Sequence, residues 1–188
     1  MRVIAGEFRS RRLKTLPGLA LRPTPDRLRQ ALFNVLTPRI EGATFLDAYA
    51  GSGSVGIEAL SRGAGHAIFV EKHFGAVRII RENLASLKLE DRATVLQRAT
   101  LAALKELDAD IYFLDPPYTE LAEYRSALEL LGDRTLQPHV LALAQHDKRF
   151  ELAETYGRLQ RTRVLTHGDN VISFFAISST AAVRSPKL

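Results

Sequence analysis

Two short stretches of this 188-residue chain carry groups that could do chemistry together. The first covers residues 44–56, TFLDAYAGSGSVG, in which Asp47 closes an apolar run and Gly51, Gly53 and Gly56 follow as G-x-G-x-x-G. Ile57, Ala59 and Leu60 then continue at helical spacing. The order reads as a buried strand, a tight glycine turn and the start of a helix. Glycines in such a turn let a ligand approach the backbone with no Cβ in the way, and the free N–H groups of the helix start point at it. Glu71 ends the next apolar run, AIFVE. It stands about 20 residues beyond the first glycine, where an acid can accept the hydroxyls of a nucleotide ribose. The second stretch is Asp115-Pro116-Pro117-Tyr118, after the apolar residues 111–114. Two prolines stiffen this loop and remove two N–H donors. The Asp115 carboxylate and the Pro116 carbonyl remain as acceptors, beside the Tyr118 ring. That set suits a planar group bearing an NH2, its hydrogens accepted and its ring stacked.

Both stretches need a scaffold that brings strand ends together, and the rest of the chain supplies one. Apolar runs at 44–48, 67–71, 93–97, 110–114 and 139–144 alternate with helical patterns at 54–62, 74–87, 100–107 and 120–131. Two β-rich segments follow, 159–166 and 171–178, with Gly168-Asp-Asn170 between them as a hairpin turn. The pattern predicts an α/β fold: a mostly parallel seven-stranded sheet with an antiparallel terminal hairpin and helices on both faces. Asp47, Glu71 and Asp115 each end a strand, so they converge on the edge where open α/β sheets bind ligands.

Ahead of this domain, 24–178, lies a basic segment, 1–23. Residues 1–14 read as a short β-hairpin and 15–23 as a loop. Thr24 is placed to cap a helix with Pro25 at its first position. Leu28, Ala31, Leu32, Val35 and Leu36 form that helix's apolar stripe, which is expected to end before Pro38 and to leave Arg27 and Arg29 outward. Residues 179–188 read as a disordered tail.

Charge is unevenly placed. The net charge is +5. Before residue 31 stand Arg2, Arg9, Arg11, Arg12, Lys14, Arg22, Arg27 and Arg29 against only Glu7 and Asp26, so all the excess is N-terminal. A basic segment on a near-neutral domain suits a polyanion. With no cysteine, disulfides, thiolate zinc sites and a thiol nucleophile are excluded. The five histidines form no ligand-spaced pair, so no metal site is expected. No secretory leader and no membrane-length apolar run is visible, which gives a cytoplasmic expectation.

LDAYAGSGSVGIEAL, then FVE, then LDPPY resembles the class I S-adenosylmethionine-dependent methyltransferases, with D-P-P-Y similar to the signature of enzymes that methylate exocyclic amino groups. RPTPDRLRQALFNVL (22–36) and EALSRGA (58–64) narrow the resemblance to the RsmD family, bacterial enzymes that methylate guanine N2 in 16S ribosomal RNA. The resemblance spans about residues 1–175. It implies a Rossmann-like fold, S-adenosylmethionine as cofactor, and 16S RNA in a 30S subunit or assembly intermediate as partner of a monomeric enzyme. It implies Asp115, Pro116, Pro117 and Tyr118 as the catalytic loop. Asp47, Ala48, Gly51, Ser52, Gly53, Glu71, Lys72, Ala99 and Thr100 are implied for the cofactor, and Arg9, Arg11, Arg12, Lys14, Arg22, Thr24 and Arg27 for RNA. The third-strand end, 96–100 (LQRAT), has no acid for the cofactor adenine, which leaves backbone groups or Thr100. The late acid of the fifth strand is replaced by Gln145 and His146. Two other readings stay open: methylation of adenine N6 or another amino group in RNA or DNA, and a dinucleotide-dependent oxidoreductase that uses the glycine turn.

Overall fold

A computed structural model describes residues 1–15, 24–117 and 121–178. Arg22, Tyr118 and the predicted tail 179–188 lie outside these residues. The elements run α1 (Asp26–Ile40), β1 (Thr44–Asp47), α2 (Ser54–Ser61), β2 (His66–Glu71), α3 (Phe74–Leu87), β3 (Ala93–Gln97), α4 (Thr100–Leu104), β4 (Ile111–Leu114), α5 (Leu121–Asp133), β5 (Leu141–Asp147), β6 (Thr155–Tyr156), β7 (Leu159–His167) and β8 (Asn170–Ile177). The sheet has eight strands among the described residues, in the order β3-β2-β1-β4-β5-β8-β7-β6. β1 to β5 are parallel, and β8, β7 and β6 are antiparallel. The extra strand, β6, is a two-residue edge pairing, Thr155 with Gln160 and Tyr156 with Leu159.

Alternation along the inner strands builds two cores. Phe45, Phe69 and Phe113 point to the face covered by α1, α2 and α3, while Leu46, Val70 and Leu114 point to the face under α4 and α5. Neighbouring residues of one strand serve opposite faces because side chains alternate every residue. Phe33 of α1, Phe45 and Phe113 form a ring ladder with centroids 6.0 and 6.3 Å apart. After β3 the chain returns to the other side of β1 to form β4. The strand order therefore reverses between β1 and β4, the point beyond whose carboxyl ends open α/β sheets bind ligands.

Three details of α1 differ from the sequence expectation. Its buried stripe is Leu28, Arg29, Leu32, Phe33, Leu36 and Ile40, rotated toward Phe33, so Arg29 faces inward and is fully buried. Its guanidinium donates to the Arg2 carbonyl (2.7 Å) and to Asp26 (3.0 Å), and Nε is left without a partner. The helix runs on through Pro38 to Ile40. Pro38 removes one bond in the last turn, to the carbonyl of exposed Asn34, where water can take its place, while buried Ile40 holds the turn down. Thr24 does not cap the helix; Pro25 precedes it and no side chain closes it.

The N-terminal segment is a minimal hairpin, with an isolated bridge between Arg2 and Arg12. It is fastened to α2. The fully buried Glu58 carboxylate accepts the Ile4 and Ala5 N–H groups (2.7 and 3.0 Å) and pairs with Arg62 (2.7 Å). Ser61 Oγ donates to the Ala5 carbonyl (2.6 Å) and accepts from Phe8 N–H (3.0 Å). Val3 and Leu13 join the core under α1.

Candidate active site

The glycine loop between β1 and α2 is held from below by acids. Asp47, 2% exposed, accepts the Gly56 N–H at 3.0 Å. Glu71 accepts the Gly51 N–H with one oxygen and the His73 N–H with the other, each at 2.9 Å. Gly51 (φ 54°) and Gly53 (φ 77°) are left-handed, as the turn demands, and a Cβ on Gly56 would collide with the Phe69 ring. Asn83 of α3 donates to the Ser52 carbonyl and to the Lys14 carbonyl, both at 3.0 Å, and so ties the loop to α3 and to the N-terminal segment. Ala48 is buried beside Asp47, and its carbonyl accepts from Thr100 Oγ at 2.7 Å. Thr100 is thus engaged with the end of β1, while Ala99 and Lys72 are exposed. Phe74, 67% exposed, stands three residues past Glu71 and offers an aromatic face at the same edge. No motif points to it.

The second wall follows β4. Asp115 is partly exposed, and its Oδ2 accepts from Gln145 Nε2 at 3.0 Å. Gln145, fully buried in β5, accepts in turn from Thr24 Oγ at 3.1 Å. The Tyr124 hydroxyl of α5 donates to the Gln145 carbonyl (2.7 Å), with the buried Pro116 carbonyl 3.3 Å away, while Pro117 is exposed. Thr24, Gln145 and Asp115 therefore form one chain from the start of α1 to the Asp-Pro-Pro loop. The sequence marks Gln145 only as a departure from the family's late acid; a buried amide between two polar neighbours gives it a positioning role. His146 is structural. Its Nδ1 donates to the Asp147 carbonyl and its Nε2 accepts from Ser173, and burial lowers its affinity for a proton.

Of the basic residues assigned to RNA, Lys14 pairs with Glu82 (2.8 Å) and Arg11 donates to the Ser86 carbonyl (3.2 Å), so both lean on α3. Arg9, Arg12 and Arg27 are exposed, and Thr24 is buried behind Asp115.

Asp47, Glu71 and Asp115 share this edge, and among the described residues none makes a salt bridge with a cation. Burial pushes the Asp47 carboxyl up to about 7, against the pull of the Gly56 N–H and helped by Glu71. Burial and then the Asp47 charge also push Asp115 well above the usual carboxylate range, with Gln145 pulling it back. For Asp47 the folded state binds its proton more tightly than the unfolded chain, so its contribution to stability falls as pH rises from about 4 to about 7. Asp47→Asn should keep the bond to Gly56 and flatten that slope by up to about 1.4 kcal/mol per pH unit. Urea unfolding across this range checks it; a profile identical to wild type would mean that Asp47 is ionised throughout. Gln145→Leu should slow turnover up to about tenfold, the scale of one net hydrogen bond, with cofactor affinity unchanged. Single-turnover rates beside calorimetric titration measure both, and an unaltered rate would make the amide bond to Asp115 dispensable.

Known proteins are similar to this chain in sequence and fold. The family described as "Conserved hypothetical protein 95" matches residues 1–176 of the chain. The YlbH protein of Bacillus subtilis (strain 168) is 41% identical over 174 residues, which covers 89% of this chain and 94% of that protein. A Haemophilus influenzae protein named ribosomal RNA small subunit methyltransferase D is 39% identical over 154 residues, 79% of each. Among solved structures, the yhhF protein of Escherichia coli is similar with a TM-score of 0.81 at 32% identity, across 94% of this chain and 97% of that one. With a match over nearly its whole length, the chain belongs to this family, the RsmD family that its motifs resemble.

Proposed function

We propose that the protein transfers a methyl group from S-adenosylmethionine to the exocyclic N2 amino group of a guanine in small-subunit ribosomal RNA. The observation that carries this reading is the partly exposed Asp115 carboxylate, one oxygen fixed by Gln145, on the same sheet edge as the glycine loop and Glu71. The donor chemistry of the edge fits the cofactor: Glu71 suits a ribose, and no described cation pairs with the acids of the edge to repel a sulfonium. The bound cofactor supplies a methyl group activated by positive sulfur, so no metal is needed for the displacement. The protein's part is orientation. Gly51, Ser52 and Gly53 let the cofactor lie against the backbone, Glu71 accepts hydroxyls, and Phe74 covers an apolar face. Asp47, Ala48, Lys72, Ala99 and Thr100 complete the cofactor wall.

A guanine amino group is a weak nucleophile because its lone pair is delocalised into the ring. Accepting its hydrogens at Asp115 Oδ1 and the Pro116 carbonyl turns the lone pair toward the methyl group. As the N–C bond forms and the S–C bond breaks, the nitrogen becomes positive and must lose one hydrogen. Asp115 suits that transfer, since its surroundings raise its affinity for a proton. Holding the reactants in line can supply as much as ~7–11 kcal/mol. The base leaves its stack to enter, and Tyr118 and Pro117 are proposed as the replacement surface. The basic segment, 1–23, and the start of α1 meet the phosphates of the RNA, which enters as a 30S subunit or its assembly intermediate, with the enzyme acting as a monomer.

The test is methyl transfer from labelled S-adenosylmethionine to small-subunit RNA, to 30S particles, to DNA and to protein, with mass mapping of the product. N2-methylguanine in the RNA or particle is expected. Label on adenine, or uptake of NAD in place of S-adenosylmethionine, would overturn the reading.

A further inference from the structure

An open groove of about 660 Å³ lies between the N-terminal hairpin and the outward face of α1. The helix lines it with Arg27, Gln30, Ala31 and Asn34, an i, i+3, i+4, i+7 stripe on the side away from the core, and the hairpin faces them with Arg2 and Arg9. Arg9 and Arg27 make no ion pair with any described residue, and Arg2 reaches Asp26, the groove's one acid, only at 4.0 Å. Gln30 donates to Asn34 Oδ1 at 2.8 Å, and the Asn34 amide nitrogen donates to no side chain or carbonyl among the described residues. The helix that forms this wall starts two residues after Thr24, whose hydroxyl leads through Gln145 to Asp115. The groove therefore begins beside the catalytic wall. On the other side of the hairpin, Lys14 is already neutralised by Glu82, and Arg11 rests on a helix carbonyl.

We infer that this groove, and not the α3 side of the hairpin, holds the phosphodiester strand flanking the target nucleotide. The inference rests on the ribosomal RNA reading above and divides the basic residues that the sequence could only pool. Arg9 and Arg27 are the groups that meet phosphate. Arg2 adds field, and the Asn34 amide donates to a phosphate or ribose oxygen. Hydrogen bonds from side-chain amides and guanidinium groups to phosphate and sugar fix register without reading sequence. The groove thus sets how far the strand is drawn in, and the Asp-Pro-Pro loop takes the base.

Filter binding of whichever small-subunit RNA or particle the wild-type protein methylates, titrated with salt, tests this. Arg9→Ala/Arg27→Ala should make the slope of log affinity against log salt shallower by about 1.4–1.8, roughly 0.7–0.9 for each phosphate that is no longer neutralised. Arg11→Ala/Lys14→Ala should leave the slope as in wild type. Asn34→Asp, which places a carboxylate in the groove without touching the hairpin, should also weaken binding. Calorimetric titration with S-adenosylmethionine should be unchanged in all three, which shows that they fold. A wild-type slope in the Arg9/Arg27 variant, or the loss falling on the Arg11/Lys14 variant, would overturn the groove while RNA methylation stood. A wild-type protein that takes up S-adenosylmethionine and methylates only protein would overturn both, and would make the groove a seat for an acidic polypeptide.

Discussion

Asp115→Ala is expected to bind S-adenosylmethionine as wild type does and to turn over at least about 100-fold more slowly, the scale on which removing one oriented polar group acts, equal to about 2.7 kcal/mol of barrier. The effect is large because the proposed reaction gives Asp115 two tasks. Its Oδ2 is fixed by Gln145, which leaves Oδ1 for the amino group, and the same carboxyl would take the proton that the methylated nitrogen loses. Only its ionised form can accept. Burial beside Asp47 raises its affinity for a proton, so the wild-type rate should climb with pH through that raised value, and the variant should lose the limb. Single-turnover rates across pH decide the point. A variant as fast as wild type would show that the amino hydrogens are accepted elsewhere.

The second large effect belongs to Glu71. Glu71→Ala should raise the dissociation constant for S-adenosylmethionine by about 100-fold, since each charge-assisted bond to a ribose hydroxyl contributes ~1.5–3 kcal/mol. Part of the loss runs through the protein. Glu71 also fixes the Gly51 and His73 N–H groups, so its removal slackens the glycine loop proposed to carry the cofactor. Glu71→Gln separates the two contributions, because the amide oxygen can keep the Gly51 bond while the charge is gone. Calorimetry on both variants reads the split. An unchanged constant in Glu71→Ala would remove this residue from the cofactor site.

Asp47, Glu71 and Asp115 are legible as a set from the sequence. Each ends an apolar run, and parallel strands must bring such ends to one edge. The strand and helix order is legible for the same reason. What escapes the sequence is what tertiary context decides. Arg29 sits one residue from Leu28 and reads as part of the outer face, yet Phe33 turns the helix so that the guanidinium goes inward to meet the Arg2 carbonyl and Asp26. β6 is too short to carry a period. Gln145 lies in a strand buried at every position, where polarity alone does not say which buried group it serves. Thr24 has the composition of a cap, but Pro25 takes that position and the Thr24 hydroxyl is turned away to donate to Gln145.

The fastening of the N-terminal hairpin to α2 bears on how such enzymes could be re-aimed at other transcripts. Glu58 and Ser61 lie three residues apart on one helix face and together hold the backbone of residues 4, 5 and 8. These are main-chain contacts, indifferent to the side chains the hairpin displays except at Gly6, where a Cβ would strike the Ser61 carbonyl. A library that varies Arg2, Arg9 and their exposed neighbours therefore leaves the anchor intact, whereas a swap into a recipient without that acid–hydroxyl pair loses its footing. The hairpin is thus an exchangeable cartridge so long as Val3, Gly6 and Leu13 stay in place, with Glu58 and Ser61 of the helix after the glycine loop as its latch.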